Sequence, residues 1–281
     1  MTTTKIQWTD STWNPVTGCT KISEGCRNCY AEIMTRRLKA MGQEKYKEGF
    51  DKVVCHYEAN KEPFRWKKGR KIFVCSMSDL FHEDVPYEFI NKVFNVIRFN
   101  PQHTFQILTK RSSRLFFDVP DVFYPDNLWL GVTVENQEQA NERIPLLLRT
   151  TAKVKFVSIE PMLGPIDLTK IPHFKDHLDN QYYRDVLNQK SISGDDITNY
   201  PGQLDWVICG GESGHKARPM HPDWVRSIRD QCMSANVPFF FKQWGGWAPD
   251  GNDEVMTKPM AKRNKDWLDG QRHHEFPEIN L

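Results

Sequence analysis

The chain has 281 residues, 39% hydrophobic and 26% charged, with a net charge of +2. This is the composition of a soluble globular protein large enough for one large domain or two small ones. No apolar run approaches the roughly 18 residues of a membrane helix, and the opening Met-Thr-Thr-Thr-Lys-Ile-Gln-Trp lacks an apolar signal core, so a membrane span is excluded and the cytoplasm is the expected location. In chain order, the first marked stretch is Cys19 to Tyr30, with three cysteines as C-x6-C-x2-C. A short strand is expected just before it, and Trp13-Asn14-Pro15-Val16-Thr17-Gly18 reads as a loop. Tyr30 to Met41 reads as a helix closed by Gly42. The three thiols therefore lie on a loop entering a helix N-terminus, where free N–H groups and the helix dipole favour thiolate. Seven cysteines, three of them clustered, point to metal binding in a reducing compartment more than to disulfides.

Gly42 to Arg70 is polar and irregular. Its basic run, Arg65-Trp66-Lys67-Lys68-Gly69-Arg70-Lys71, and a second at Lys258 to Arg263, read first as solvated surface. The interleaved Trp66 keeps a nucleic-acid contact open for the first run. A repeating unit follows: strand Lys71–Ser76, helix Pro86–Phe99; strand Thr104–Leu108, short helix through Phe117; strand Leu128–Val134, helix Gln137–Leu148; strand Val154–Ile159; strand Asp205–Cys209, helix Pro222–Ser234; strand Val237–Lys242. Alternating strands and helices imply parallel βαβ units, and near-continuous apolar strands imply burial on both faces. The expected fold is α/β, a partial TIM-like (βα)6-7 barrel over residues 1–247. It carries a polar insertion at about 164–204 and a tail at 248–281, in which His273 and His274 are expected to be exposed. Almost every strand ends in polar residues: Ser78-Asp79, Lys110-Arg111, Thr133 to Glu135, Glu160, Glu212 and Lys242-Gln243. In barrels of this kind chemistry sits at those ends.

Three clustered cysteines suit a [4Fe–4S] cluster with one open iron, whereas a structural zinc site wants four ligands. With the motif Cys26-Arg27-Asn28-Cys29-Tyr30 and these strand ends, the sequence resembles the radical S-adenosylmethionine (SAM) superfamily. The opening Trp13-Asn14-Pro15-Val16-Thr17-Gly18-Cys19 is similar to a phage-associated branch of it. That superfamily's usual first gap is three residues; here it is six. Within it, Ser78 in Ser76-Met77-Ser78-Asp79, Lys110 in Leu108-Thr109-Lys110 and Thr133 before Val134 resemble SAM-contacting positions of spore photoproduct lyase.

The resemblance implies that Cys19, Cys26 and Cys29 hold a [4Fe–4S] cluster and that Tyr30, Ser76, Ser78, Lys110, Thr133 and Glu135 bind SAM. Cys75, Asp79, Glu160 and Glu212 are then the candidate catalytic groups, the acids binding substrate or moving protons. The relative's hydrogen-donor cysteine falls on Ser76, and Cys75 stands one residue earlier, on the opposite face of the expected strand. The implied activity is reductive cleavage of SAM to a 5′-deoxyadenosyl radical. Its implied substrate is a nucleotide or DNA base, and its electron donor is of the flavodoxin or ferredoxin type. The two glycines of Gly210-Gly211-Glu212 suit close approach to a ligand. The rival reading is a zinc- or iron–sulfur-stabilised nucleic-acid-binding module without catalysis, with His56 or His82 as a further zinc ligand.

Overall fold

The structure, a computed structural model, describes residues 4–116, 124–175, 179, 181–188, 202–249, 256–257 and 265–278. Seven strands form its main sheet: β1 (Ser11–Trp13), β2 (Lys71–Val74), β3 (Thr104–Thr109), β4 (Leu128–Thr133), β5 (Val154–Ile159), β6 (Trp206–Gly210) and β7 (Phe239–Gln243). They are parallel and lie side by side in chain order, β1 to β7. Five α-helices accompany them: α1 (Tyr30–Ala40), α2 (Tyr87–Arg98), α3 (Ser113–Phe116), α4 (Gln137–Leu148) and α5 (Pro222–Ala235). This is the expected α/β class with the topology of a partial TIM-like barrel, including the short first strand. No described helix is long and apolar enough to cross a membrane.

The chain divides into two compact units, Met1–Gly131 with Thr150–Val154, and Val132–Arg149 with Lys155–Leu281. In the first, Trp13, Ile72, Val74, Phe105 and Ile107 are buried, as is the apolar face of α2. That face places Phe89, Ile90, Val93, Phe94 and Ile97 at helical spacing. Each large side chain so buried contributes about 1.5–3 kcal/mol before entropy is charged. In the second unit, Phe156, Ile159, Trp206, Ile208, Phe239 and Phe241 are buried with Ile144 and Leu147 of α4. Local chemistry sets the helix ends. Asn136 caps α4 by accepting the Gln139 N–H at 3.2 Å. Pro222 opens α5, and Asn236 closes it in the left-handed region at φ 54°.

Several boundaries differ from expectation. β2 stops at Val74 because Cys75 adopts φ 60°, so Cys75 and Ser76 are not alternating strand residues. Helix α2 begins at Tyr87, with Pro86 extended as its cap. Residues 42–70 hold short 3-10 turns and one two-residue strand. The insertion contains an antiparallel hairpin, Ile171–Lys175 with Gln181–Arg184; its residues 189–201, like Phe117 and the whole run Lys258 to Arg263, lie outside the described residues. His273 is buried, correcting its expected exposure: its carbonyl accepts the Phe241 N–H at 2.7 Å, so the tail pairs along β7. His274 stacks on Phe240 with ring centroids 4.4 Å apart.

Candidate metal centre

The cysteine loop is held at several points of the first unit. Asn14 Oδ1 accepts from Ser76 Oγ and from the Met77 N–H, both at 3.1 Å, which ties the loop entry to the end of β2. Gly18 has φ 82°, and a Cβ there would stand 1.9 Å from the Lys52 carbonyl oxygen, so only glycine fits the crossing. The next N–H, of Cys19, donates to the Phe50 carbonyl at 2.8 Å. Cys26 ends a 3-10 turn, and Cys29 is the residue preceding α1, contributing no side-chain cap. Lys21 pairs with Glu32 at 2.7 Å, pinning the loop to the first turn of α1. All three thiols are free and half-buried, and Cys19 and Cys29 pack on Tyr46, Phe50 and Met77.

The strand ends β2 and β3 converge on Cys19 through a residue that the sequence reading left unassigned, Arg111. Its side chain is 3% exposed. Its Nε donates to both oxygens of Glu83 at 3.0 and 2.9 Å. Nη2 donates to the carbonyl and hydroxyl oxygens of Thr20 at 3.1 and 2.9 Å. Nη1 reaches Asp79 Oδ2 at 3.4 Å and Cys19 Sγ at 3.6 Å. Burial, followed by the Asp79 charge, pushes the Cys19 thiol up to about 11, with Arg111 opposing.

Asp79 anchors this arrangement. It accepts from the Thr109 hydroxyl at 2.8 and 2.9 Å and from the N–H groups of Lys110 and Phe81 at 3.0 Å. Through these bonds Asp79 positions its neighbours. His82 accepts the Asp84 N–H at Nδ1, which places its proton on Nε2, 2.8 Å from the Thr20 hydroxyl. Burial holds its ring below the usual histidine range. Ser78 Oγ donates to the Gly18 carbonyl. Lys110 is half-buried beside these groups, while Tyr30 is 64% exposed at the start of α1. Cys75 is buried at 3% exposure, its thiol raised by burial.

In the second unit each candidate acid has a cation. Glu135 is fully buried and accepts from Arg143 Nη1 at 3.0 Å; the same Nη1 donates to the Thr133 carbonyl at 2.7 Å. Glu212 is gripped by Arg218 at both carboxylate oxygens, 2.7 to 2.9 Å. Glu160 takes Lys242 Nζ at 2.7 and 2.8 Å, both side chains being 21% exposed. Gly211 does make a close approach, but to the chain itself: a Cβ there would lie 2.0 Å from the Trp244 carbonyl oxygen. The first unit thus gathers Cys19, Ser78, Asp79 and, unforeseen, Arg111 and Thr20. In the second unit Glu160 with Lys242 is the more accessible ion pair.

Among the described residues, no three His, Cys, Asp or Glu side chains converge as the ligands of one metal ion. A four-iron cluster takes each thiolate at a separate iron, so its ligands stand further apart than those of one ion. The donor set fits such a group by chemistry: three free thiols on the loop leading into α1, with an arginine N–H directed at one sulfur and Ser23 Oγ 3.8 Å from Cys26 Sγ. Hydrogen bonds to sulfur of this kind tune iron–sulfur centres. The chain belongs to the family described as "Protein of unknown function (DUF5131)", whose model matches residues 3–277. No curated protein and no solved structure matches it.

Proposed function

We propose that this member of the DUF5131 family is a radical SAM enzyme in which Cys19, Cys26 and Cys29 hold a [4Fe–4S] cluster with one iron open to SAM. When bound and reduced, the cluster supplies one electron to the SAM sulfonium, which cleaves to methionine and a 5′-deoxyadenosyl radical able to take hydrogen from a substrate. The observation that carries the reading is Arg111, a buried guanidinium locked by Glu83, Asp79 and Thr20 with one N–H left on Cys19 Sγ. Gathering three thiolates in a half-buried loop concentrates negative charge, and a fixed cation offsets its desolvation.

The remaining roles belong to the same proposal. Asp79 fixes the backbone of Lys110, whose ammonium serves as a point charge for the SAM carboxylate. Ser78, bonded to the carbonyl that precedes Cys19, keeps β2 against the loop. Glu160 and Lys242, a partly exposed pair at strand ends, hold a substrate group or pass a proton. Glu212, with both oxygens on Arg218, and Glu135, on Arg143, serve as structural anchors. The substrate is a nucleotide or DNA base, and reducing equivalents come from a flavodoxin or ferredoxin type of donor. His56 and His82 are engaged with Thr17 and Thr20, which supports the cluster over a zinc site built with either histidine.

Anaerobic reconstitution with iron and sulfide tests the centre. The expected product binds iron with broad visible absorbance, loses both on Cys26→Ala, and forms 5′-deoxyadenosine from SAM under dithionite. A colourless protein holding one zinc and no iron would overturn the proposal. Deuterium carried from labelled DNA or nucleotides into 5′-deoxyadenosine is the expected substrate signature; label from neither pool removes that substrate class.

A further inference from the structure

The basic run after the cysteine loop is not absorbed by the metal centre. Within residues 61–71, six side chains are Lys or Arg and one is acidic. Arg65, Lys67 and Lys68 are exposed, and among the described residues none of them is paired with a carboxylate. Solvated lysines alone would say little. Here two large aromatic rings lie exposed beside the run, Phe64 at 53% and Tyr57 at 52%, with Lys92 Nζ 4.9 Å from the Tyr57 ring centroid.

The backbone beneath is fixed. Pro63–Arg65 is a 3-10 turn, and the Trp66 N–H donates to the Pro63 carbonyl at 3.1 Å. The Trp66 ring is held by the Arg70 guanidinium, 5.5 Å from its centroid, and by the edge of His103. Gly69 crosses close to Gln102, where a Cβ would stand 2.7 Å from the carbonyl oxygen. Lys71 then opens β2 and pairs with Thr104 of β3.

We propose that Tyr57, Phe64 and the cations Arg65, Lys67 and Lys68 form a docking strip for single-stranded nucleic acid. Exposed rings give bases a stacking surface, and unpaired cations on the same short segment neutralise successive phosphates. A protein partner would need an acidic surface to match this charge. The strip lies where β2 begins, and Ser78 lies beyond the strand's end, roughly 10 Å or more along it. It is therefore an anchoring surface, separate from the reacting groups. It does not depend on a cluster, so its test uses the metal-free full-length chain and its failure is distinct from failure of the metal-centre reading.

The test is fluorescence anisotropy with a labelled DNA strand of about 12 nucleotides, within the usual site size for such surfaces. Wild type should bind with affinity that falls as salt rises. The triple variant Arg65→Glu, Lys67→Glu, Lys68→Glu should lose at least tenfold in affinity at low salt. Its salt slope should shrink by about 2, from roughly 0.7 per phosphate contact. Phe64→Ala should weaken binding about tenfold with the slope unchanged. Both variants alter exposed residues, and circular dichroism checks that they fold. Absence of wild-type binding, or variants with unchanged affinity and slope, would overturn the proposal. So would equal affinity for duplex of the same sequence, or binding to anionic lipid vesicles in place of the oligonucleotide.

Discussion

Replacing Arg111 by Leu keeps much of its volume and removes its charge. The Arg111 side chain is 3% exposed and that of Asp79 is 8%, so the pair is buried, whereas Glu83 is 60% exposed. Breaking a buried pair costs about 3–5 kcal/mol because the remaining ion is uncompensated. Asp79 would still accept from the Thr109 hydroxyl and the N–H groups of Phe81 and Lys110, which puts the cost at the low end. Glu83 would rehydrate, adding about 0–1 kcal/mol. The expected loss is therefore about 3 kcal/mol, or about 6–12 °C in Tm at the 2–4 °C per kcal/mol typical of large domains. Calorimetry of the metal-free protein reads this, and adding Asp79→Asn should restore part of it, because residues in one network couple by 0.5–3 kcal/mol or so. A Tm within about 2 °C of wild type, or strictly additive losses in the double variant, would refute the account of a buried charge network.

Other outcomes follow from the same geometry. Gly18→Ala should cost at least about 2 kcal/mol, because φ 82° and a Cβ 1.9 Å from the Lys52 carbonyl oxygen cannot both be tolerated; an unchanged denaturation midpoint would contradict this. Arg143→Met should destabilise by about 3–5 kcal/mol by removing the cation that faces the buried Glu135 carboxylate, and a second change, Glu135→Gln, should recover much of it in urea titrations. Lys242→Met, removing one partner of a partly exposed pair, should cost about 1 kcal/mol or less in stability, so a large loss of SAM-dependent turnover with a near-native midpoint would mark a functional role. Burial lowers the His103 and His273 pKa values from the ordinary 6.5. Unfolded chains then take up protons first, so stability present above pH 6.5 should decline as pH falls through that value toward the folded pKa. Replacing His103 with Gln should flatten part of that slope, as measured by denaturation at pH 7 and pH 5.5.

The sheet was legible because its strands are short apolar runs spaced by helical periods. Phe105-Gln106-Ile107-Leu108 and Trp206-Val207-Ile208-Cys209 announce buried strands on both faces. The expected strand overruns β2 by two residues because Cys75 is apolar, and hydrophobicity carries no signal for a left-handed backbone. The hairpin at Ile171–Lys175 was missed because Pro172 and its charged neighbours read as loop. The cysteines were legible because their spacing is local. Arg111 was not, since its contact with Cys19 spans 92 positions of sequence. The acids were visible at strand ends while their cations were not: Lys242 lies 82 positions from Glu160. One signal was available. Arg143 stands with Ala140, Ile144 and Leu147 on the buried face of α4, and a charge within an apolar stripe needs a counter-ion.

The pairing of His273 to Glu275 along β7 has a bearing on solubility. The N–H of Phe241 is taken by the His273 carbonyl and the N–H of Glu275 by the Phe239 carbonyl, while the Glu275 side chain accepts the Phe239 N–H. An uncovered parallel edge of three consecutive phenylalanines would be a template for another polypeptide to add its own strand. Deleting residues 273–278 would thus be expected to turn a dispersed protein into one that self-associates by edge addition.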